Sequence, residues 1–149
     1  MIEITILGTA CMQPTKDRNH IGILLSYGKE KILFDCGENI QRQLRVAGLK
    51  PAKITKLFIS HWHGDHVLGI PGLMSSMGAD NSSSKLIIYG PKGTKKRIEY
   101  LRQAFQSKHM VEYELIEIIP TEKKAKSLEF NGFSVEVRNL AHGTDCLGY

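Results

Sequence analysis

Three histidines and an aspartate lie close together in the segment HWHGDH, which begins at His61. The segment follows KLFIS, an apolar stretch that is typical of a buried strand. Residues two apart at the extended end of a strand point to the same side, so His61 and His63 can reach one cation together. Gly64 permits a sharp turn that could bring Asp65 and His66 back toward the same space, on a second cation. The pattern predicts a metal site rather than three unrelated histidines.

The residue types limit which metal ions the site would bind and which reaction it would catalyse. Imidazole and carboxylate ligands without a thiolate suit Zn²⁺, and they also suit Mn²⁺ or Fe²⁺. Two such ions about 3.5–4 Å apart can share a hydroxide and stabilise both the attacking and the leaving oxygen of a phosphodiester. We therefore expect zinc, with manganese or iron as alternatives, in a hydrolytic site.

The hydrophobic pattern predicts the elements that must position these residues. The predicted strands are 2–7, 21–27, 30–35, 56–60, 85–89, 113–119 and 128–138, and the predicted helices are 40–47, 66–77 and 95–106. Asn131 and Gly132 predict a two-residue hairpin turn inside the last strand segment. Asn39 and Thr94 are candidate helix N-caps. Paired strands followed by alternating strands and helices indicate one α/β layered domain over residues 1–149.

Composition is that of an ordinary globular chain. Of its 149 residues, 42% are hydrophobic and 23% are charged. No run of about 18 apolar residues predicts a membrane-spanning helix, and the N-terminus lacks the features of a signal peptide. The N-terminal segment instead has the pattern of a strand, with Ile2, Ile4 and Ile6 on one face. The three cysteines include no C-x-x-C pair, so we expect reduced thiols and a cytoplasmic protein.

Positive charge is concentrated in one part of the chain. The formal net charge is +5, and residues 85–110 alone hold seven basic residues against one acid. A patch of this kind would suit a polyanionic partner, and a solvated helix face would explain it equally well.

Several spaced motifs together resemble one family. H-x-H-x-D-H is the signature of the metallo-β-lactamase fold, which includes lactamases, glyoxalases, lactonases, phosphodiesterases and nucleases. The stretches LGTACMQPTKDRNHIGILL, LFDCGENIQRQL, SHWHGDHVLGIPGLMSSM and YGPKGTKK look like ribonuclease Z, the endonuclease that removes the 3′ trailer from precursor tRNA. The resemblance runs from near residue 6 to the C-terminus.

The resemblance implies a role for each residue of the site. The implied metal ligands are His61, His63, Asp65, His66 and His142. Asp65 would also hold the attacking hydroxide as the catalytic residue. Asp35 would support the metal-binding turn by hydrogen bonds without being a ligand. His142 ends the stretch VEVRNLAH and would share the metal of His61 and His63.

The family associates its P-x-K-x-R-N loop, here PTKDRN, with tRNA recognition. The predicted RNA-binding residues of this loop and of GPKGTKK are Lys16, Arg18, Asn19, Lys92, Lys95 and Lys96. An ordinary turn would also explain PTKDRN, and a turn before a basic helix would also explain GPKGTKK. We expect Trp62, His20 and His109 to be packing or surface residues.

Parts of the family pattern cannot be placed in this sequence. They are an Asp that bridges both metals, a final metal-binding His, a histidine segment near the leaving group and a tRNA-clamping arm. The chain therefore resembles the N-terminal half of an αββα sandwich, whose inner sheet face would be exposed when alone. The enzyme could be split into two polypeptides, the chain could be a fragment, or it could be a degenerate module.

These expectations describe a zinc-dependent endoribonuclease that acts on precursor tRNA. It would be active only when completed by the missing C-terminal half, as a homodimer or heteromer. The alternatives are another hydrolase of the same fold, acting on a small ester or a cyclic nucleotide, and a non-catalytic RNA-binding subunit.

Overall fold

The computed structural model describes residues 1–80, 82, 85–106, 110–120 and 125–149. Its centre is a six-stranded sheet with the strands in chain order, and a three-stranded sheet packs against it. The first sheet contains β1 (Ile2–Gly8), β2 (Gly22–Tyr27), β3 (Glu30–Phe34), β4 (Lys56–Phe58), β5 (Leu86–Gly90) and β6 (Tyr113–Glu117). The second contains β7 (Lys126–Phe130), β8 (Phe133–Asn139) and β9 (Leu147–Gly148).

Strand direction changes once across the first sheet. Strands β1, β2 and β3 are antiparallel neighbours, whereas β3 to β6 run parallel. Parallel neighbours need crossover connections, which the helices provide. These helices are α1 (Ile40–Val46), α2 (Gly64–Val67), α3 (Ile70–Ala79) and α4 (Thr94–Ala104). The predicted α/β layered architecture is confirmed.

One face of the first sheet packs against the helices. Leu24, Leu33, Leu57 and Ile88 form a row across four strands, and each is at most 1% exposed. The helical side chains in the same apolar cluster are Ile40, Leu44, Val67, Ile70, Leu73, Met74, Met77 and Ile98. Within the described residues, we find no helix with the length and apolar character needed to cross a bilayer.

The opposite face packs against the second sheet. The Phe58 ring stacks on the Tyr89 ring, with centroids 4.5 Å apart, and on the Phe34 ring, with centroids 5.4 Å apart. Val137 and Leu147 of the second sheet are buried in the same cluster. Two sheets therefore meet face to face, with the helices outside the larger one.

An apolar stripe on β1 stays uncovered on this face. Ile2, Ile4 and Ile6 are 63%, 61% and 56% exposed. Ile4 pairs with Leu25 and Leu25 with Ile32, so the stripe shares the face that the second sheet covers elsewhere. The expectation of an exposed inner face therefore holds at β1 and is wrong around Phe58, which β7 to β9 cover.

The predicted helix 66–77 is instead two helices, α2 and α3. The backbone N–H of Gly69 donates to the carbonyl oxygen of Cys36 at 3.0 Å. A Cβ at Gly69 would lie 2.0 Å from the carbonyl oxygen of Gly37. This close approach of two backbones diverts a helical hydrogen bond and interrupts the helix, which restarts with Pro71 in its first turn.

Neither residue predicted as a helix N-cap caps its helix with a side-chain hydrogen bond. The predicted hairpin turn, in contrast, is confirmed. Asn39 occupies the N-cap position of α1 with φ 67° and makes no side-chain capping bond. Thr94 is the first residue of α4, and Gly93, with φ 86°, takes the cap position because its conformation favours glycine. Phe130 pairs directly with Phe133 across the predicted turn.

The aromatic stack makes Phe58 a sensitive position. We expect Phe58→Ala to lower the free energy of unfolding by about 3–5 kcal/mol, because it leaves a cavity between the two sheets. Ile4→Ala on the uncovered stripe is the matched control and should change it by less than about 1 kcal/mol. Urea unfolding followed by circular dichroism measures both. Similar losses for the two variants would show that the stripe is covered in solution.

Candidate metal centre

Two distant segments bring three imidazoles together. His61 and His63 follow β4, and His142 lies in the turn between β8 and β9. Each of the three offers a nitrogen, and these nitrogens lie within 4.8 Å of one another. The N–H of Leu147 donates to the carbonyl oxygen of Ser60 at 2.8 Å, which holds β9 beside the end of β4. His142 is therefore positioned by the second sheet.

Asp65 and His66 lie beside this group, on α2. The His66 and His61 ring centroids are 4.0 Å apart, and His66 Nε2 lies 3.5 Å from Asp65 Oδ2. Asp65 Oδ1 is buried and has no hydrogen-bond partner among the described residues. An unpartnered buried carboxylate oxygen is costly, and a bound cation would relieve that cost.

Asp35 joins these two groups through hydrogen bonds. Its Oδ1 accepts the Ser60 backbone N–H at 2.7 Å. Its Oδ2 accepts from the Ser60 hydroxyl and from His66 Nδ1, each at 2.7 Å. Asp35 itself has φ 56°, an uncommon conformation for a residue with a side chain. The resemblance implied that Asp35 supports the candidate metal-binding turn, and the structure shows its carboxylate hydrogen-bonded to Ser60 and His66.

Ser60 is a part of the centre that the sequence analysis did not single out. Its hydroxyl hydrogen is donated to Asp35, so its oxygen accepts from His61 Nδ1, which lies 2.9 Å away. His61 Nε2 and His66 Nε2 are thereby left as the unprotonated nitrogens, and the lone pair of His61 Nε2 faces His63 Nδ1 at 3.0 Å. Since imidazole binds metals through such a nitrogen, the network presents both rings in the required tautomer.

The buried ring of His61 and the half-buried ring of His66 have opposite pKa shifts. Burial lowers the pKa of His61 to about 4, helped by the neighbouring His66. Burial also opposes protonation of His66, but the hydrogen bond and charge of Asp35, with the charge of Asp65, outweigh it and raise the pKa of His66. His61 is therefore neutral at pH 7 and able to coordinate a cation.

Trp62 connects the histidine segment to the basic helix. Its indole N–H donates to the Thr94 hydroxyl at 2.9 Å, and the Arg97 guanidinium lies 5.6 Å from the centre of its ring. Trp62 also packs against the helical core, as expected. The start of α4 is thereby fixed beside the candidate ligands.

Part of the predicted basic patch is occupied by protein contacts. Lys85 pairs with Glu114, Arg102 lies 3.8 Å from Glu99, and Arg97 stacks on Trp62. Three predicted RNA-binding residues on this side remain exposed without an acidic side-chain partner among the described residues: Lys92, Lys95 and Lys96. Lys108 and His109 lie outside the described residues.

The predicted RNA-binding loop lies near the start of α1. Lys16 and Arg18 are exposed and line a cavity of about 490 Å³ together with Arg42. The Asn19 side-chain amide instead donates to the carbonyl oxygens of Glu38 and His20, at 2.8 and 3.2 Å. Asn19 therefore orders the loop and retains only its side-chain oxygen for a ligand.

Comparison with known sequences gives two kinds of match. The family described as anti-Pycsar protein Apyc1 matches residues 2–147. Ribonuclease Z of Methanocaldococcus jannaschii is 52% identical over 99 residues, which cover 66% of this chain and 31% of that protein. Ribonuclease Z of Bacillus mycoides is 40% identical over 151 residues, which cover 99% of this chain and 48% of that protein. The chain spans about half the length, or less, of these relatives.

Solved structures show the same fold. Human tRNase Z, short form, superposes with a TM-score of 0.85 and 30% identity, covering 99% of this chain and 63% of that one. The metallo-β-lactamase fold protein YhfI of Bacillus subtilis gives a TM-score of 0.75 at 23% identity, covering 98% and 55%. The metallo-β-lactamase fold predicted from the motifs is confirmed.

Replacing Asp35 with Asn should lower the pKa of His66 below that of an ordinary histidine. The change removes the hydrogen bond and charge that raise this pKa, while burial, which lowers it, remains. The Asn side-chain N–H would also donate to His66 Nδ1 and move the ring proton to Nε2. Long-range ¹H–¹⁵N NMR of the metal-free chain across pH 4–9 measures both effects.

The matched control for this change is Asp65→Asn. It should lower the pKa of His66 less than Asp35→Asn does, because Asp65 contributes charge without the Nδ1 hydrogen bond. An unchanged His66 titration in Asp35→Asn would contradict the network.

Proposed function

Because the chain belongs to the family described as anti-Pycsar protein Apyc1 and resembles ribonuclease Z along its length, we propose that it is half of a metal-dependent endoribonuclease. The reaction is removal of the 3′ trailer from precursor tRNA. The observation that carries this proposal is 40% identity to a ribonuclease Z over 99% of the chain. We propose residues 1–149 as the N-terminal half of the complete domain.

The described residues fit a zinc centre. His61, His63 and His142 would hold one ion, and Asp65 and His66 would hold a second. When bound, divalent metal supplies a water-derived nucleophile at neutral pH and neutralises charge on the phosphate. The orphaned Asp65 Oδ1 supports this assignment independently of the relatives, because it needs a cation or a donor.

The chain's own residues would divide the remaining work. Asp65 would accept a proton from the attacking water, as the catalytic residue. The water oxygen bonds to phosphorus, the bond from phosphorus to the 3′ oxygen breaks, and that oxygen takes up a proton. The tRNA keeps a 3′-hydroxyl and the trailer keeps the phosphate. Lys92, Lys95 and Lys96, beside the centre, would hold the RNA backbone, as would Lys16 and Arg18.

The missing half would complete the second ion site. Among the described residues, no third His, Cys, Asp or Glu joins Asp65 and His66 in a ligand group. We propose that the C-terminal half supplies the remaining ligands, in trans or as the rest of a longer chain, in a homodimer or heteromer. We assign the assembly to the cytoplasm, in keeping with its three free thiols.

A second candidate function is hydrolysis of a small ester or a cyclic nucleotide by the same fold. It is favoured by the match to a family whose description does not name ribonuclease Z. Activity on such a substrate without cleavage of 3′-extended tRNA would support it. A non-catalytic RNA-binding subunit would keep its function when the candidate ligands are removed.

The first test is intact-mass spectrometry of the protein captured gently from its native cells. We expect either a stoichiometric second polypeptide or a longer single chain, each carrying an additional Asp and His. The 149-residue chain alone, without a partner, would contradict the half-enzyme proposal. The captured assembly then provides the material for activity assays.

In that assembly, His61→Ala and Asp65→Asn should each reduce precursor-tRNA cleavage more than about 100-fold. Groups that only orient a metal ligand already contribute about 10- to 100-fold, and a ligand should contribute more. RNA binding, measured by fluorescence anisotropy, should change little. Cleavage that survives both changes would exclude this centre.

Replacing Lys92, Lys95 and Lys96 together with Ala should make RNA binding less dependent on salt. Removal of one lysine–phosphate ion pair should reduce the slope of log affinity against log salt by about 0.7–0.9. Anisotropy titrations between 50 and 300 mM KCl measure the slope. Replacing three exposed lysines away from the centre, Lys29, Lys50 and Lys53, is the matched control. Equal slopes in the two triple variants would show that Lys92, Lys95 and Lys96 do not contact the RNA.

A further inference from the structure

Two cavities adjoin at the loop that precedes β2. The first, named here the basic cavity, measures about 490 Å³ and is lined by Lys16, Arg18 and Arg42 among others. The second, named here the His20 cavity, measures about 340 Å³. They share four lining residues: Pro14, Thr15, Asn19 and Asn39. Volumes of this size accommodate small-molecule groups.

The basic cavity suits an anion. Lys16, Arg18 and Arg42 form no ion pair with any described residue, and Asp17 is the only acid that lines this cavity with them. Three cations against one carboxylate leave an excess of positive charge. A phosphate group matches this excess, because it accepts charge-assisted hydrogen bonds from several directions.

The His20 cavity presents buried polar atoms together with one carboxylate, that of Glu38, whose Oε2 lies 4.0 Å from His20 Nδ1. His20 is 4% exposed, and neither of its ring nitrogens has a hydrogen-bond partner among the described residues. Gln41 Oε1 is likewise buried without a partner and lines the same cavity. Buried polar atoms without partners cost about 1–3 kcal/mol each, so a ligand that satisfies them binds favourably.

The two cavities together match one kind of ligand. It carries an anionic group next to a flat group whose edge has both hydrogen-bond donors and acceptors. Inorganic phosphate would fill only the basic cavity, and an apolar ligand would leave His20 and Gln41 unsatisfied. A nucleotide satisfies both cavities, with its phosphate in the first and its base in the second.

The backbone relates the His20 cavity to the candidate metal centre. A Cβ at Gly37 would lie 2.4 Å from the Cβ of His20 and 2.3 Å from the carbonyl oxygen of Asp65. His20 and the backbone of the metal-binding segment therefore both approach Gly37 closely. A nucleotide bound at His20 would lie beside the RNA held at the centre.

We propose that the His20 cavity recognises a nucleobase of the RNA, whose phosphate lies in the basic cavity, and that His20 and Gln41 determine which base is accepted. This inference rests on the proposed function, since it takes the ligand to be RNA. It adds a base-reading site beside Lys16 and Arg18, which the proposed function assigns to the RNA backbone.

The test uses the metal-free 149-residue chain and five probes: AMP, CMP, GMP, UMP and ribose 5-phosphate. We expect one mononucleotide to bind at least tenfold more tightly than ribose 5-phosphate, which carries the phosphate without a base. NMR titration measures the affinities and should locate the shifts at His20, Glu38 and Gln41. Five affinities within threefold of one another would overturn the proposal.

Three variants distinguish recognition of the base from recognition of the phosphate. His20→Phe keeps the ring volume but removes both nitrogens, so it should abolish the preference and leave the affinity for ribose 5-phosphate unchanged. Gln41→Met should reduce the preference in the same way. Arg42→Ala should instead weaken all five probes equally. A preference that persists in both His20→Phe and Gln41→Met would overturn the proposal.

A final comparison distinguishes RNA from a free nucleotide. A trinucleotide RNA that carries the preferred base should bind more tightly than the mononucleotide. Weaker binding of the trinucleotide would assign the cavity to a free nucleotide and overturn the RNA assignment. These measurements need neither cleavage nor the completing half. A failed cleavage assay would therefore contradict the proposed function without affecting this site. The absence of a base preference would contradict this site without affecting the proposed function.

Discussion

The candidate metal centre depends on the hydrogen bonds that the carboxylate of Asp35 accepts. This carboxylate lies just after β3, accepts hydrogen bonds from Ser60 after β4, and accepts another from His66 on α2. One side chain thus fixes three elements relative to one another. It also determines, through the Ser60 hydroxyl, which nitrogen of His61 keeps its lone pair. Burial strengthens these contacts, because little water competes for the oxygens.

The two faces of the first sheet show how this chain is stabilised. The helical face is closed by side chains that are almost fully buried, such as Leu33 and Leu57. The other face is closed only where the second sheet reaches it, around Phe58, and it stays open at β1. The closed region contains the strand ends that carry the candidate ligands. The geometry of the candidate metal centre therefore rests on packing that the described residues already provide.

The sequence predicted local features well and long-range ones poorly. The spacing of His61, His63 and Asp65 predicted a metal site because those residues are neighbours in the chain. His142 could be included only through the resemblance, since its position depends on β9 binding beside Ser60. The break at Gly69 was missed because its cause, the backbone of Cys36 and Gly37, is distant in sequence. His20 gave no signal, because missing hydrogen-bond partners are visible only in a structure.

The distance along the chain between His61 and His142 has a consequence for the order of folding. More than half of the chain separates the two rings, so closing that loop has a large entropic cost before any contact offsets it. The parallel strands and helices between them can form from nearer contacts, whereas the hydrogen bond from Leu147 to Ser60 must wait until residue 147 has been synthesised. During synthesis, the first two imidazoles would emerge long before the third. A cation that needs all three would be captured as a late event, after the hydrophobic layers have assembled.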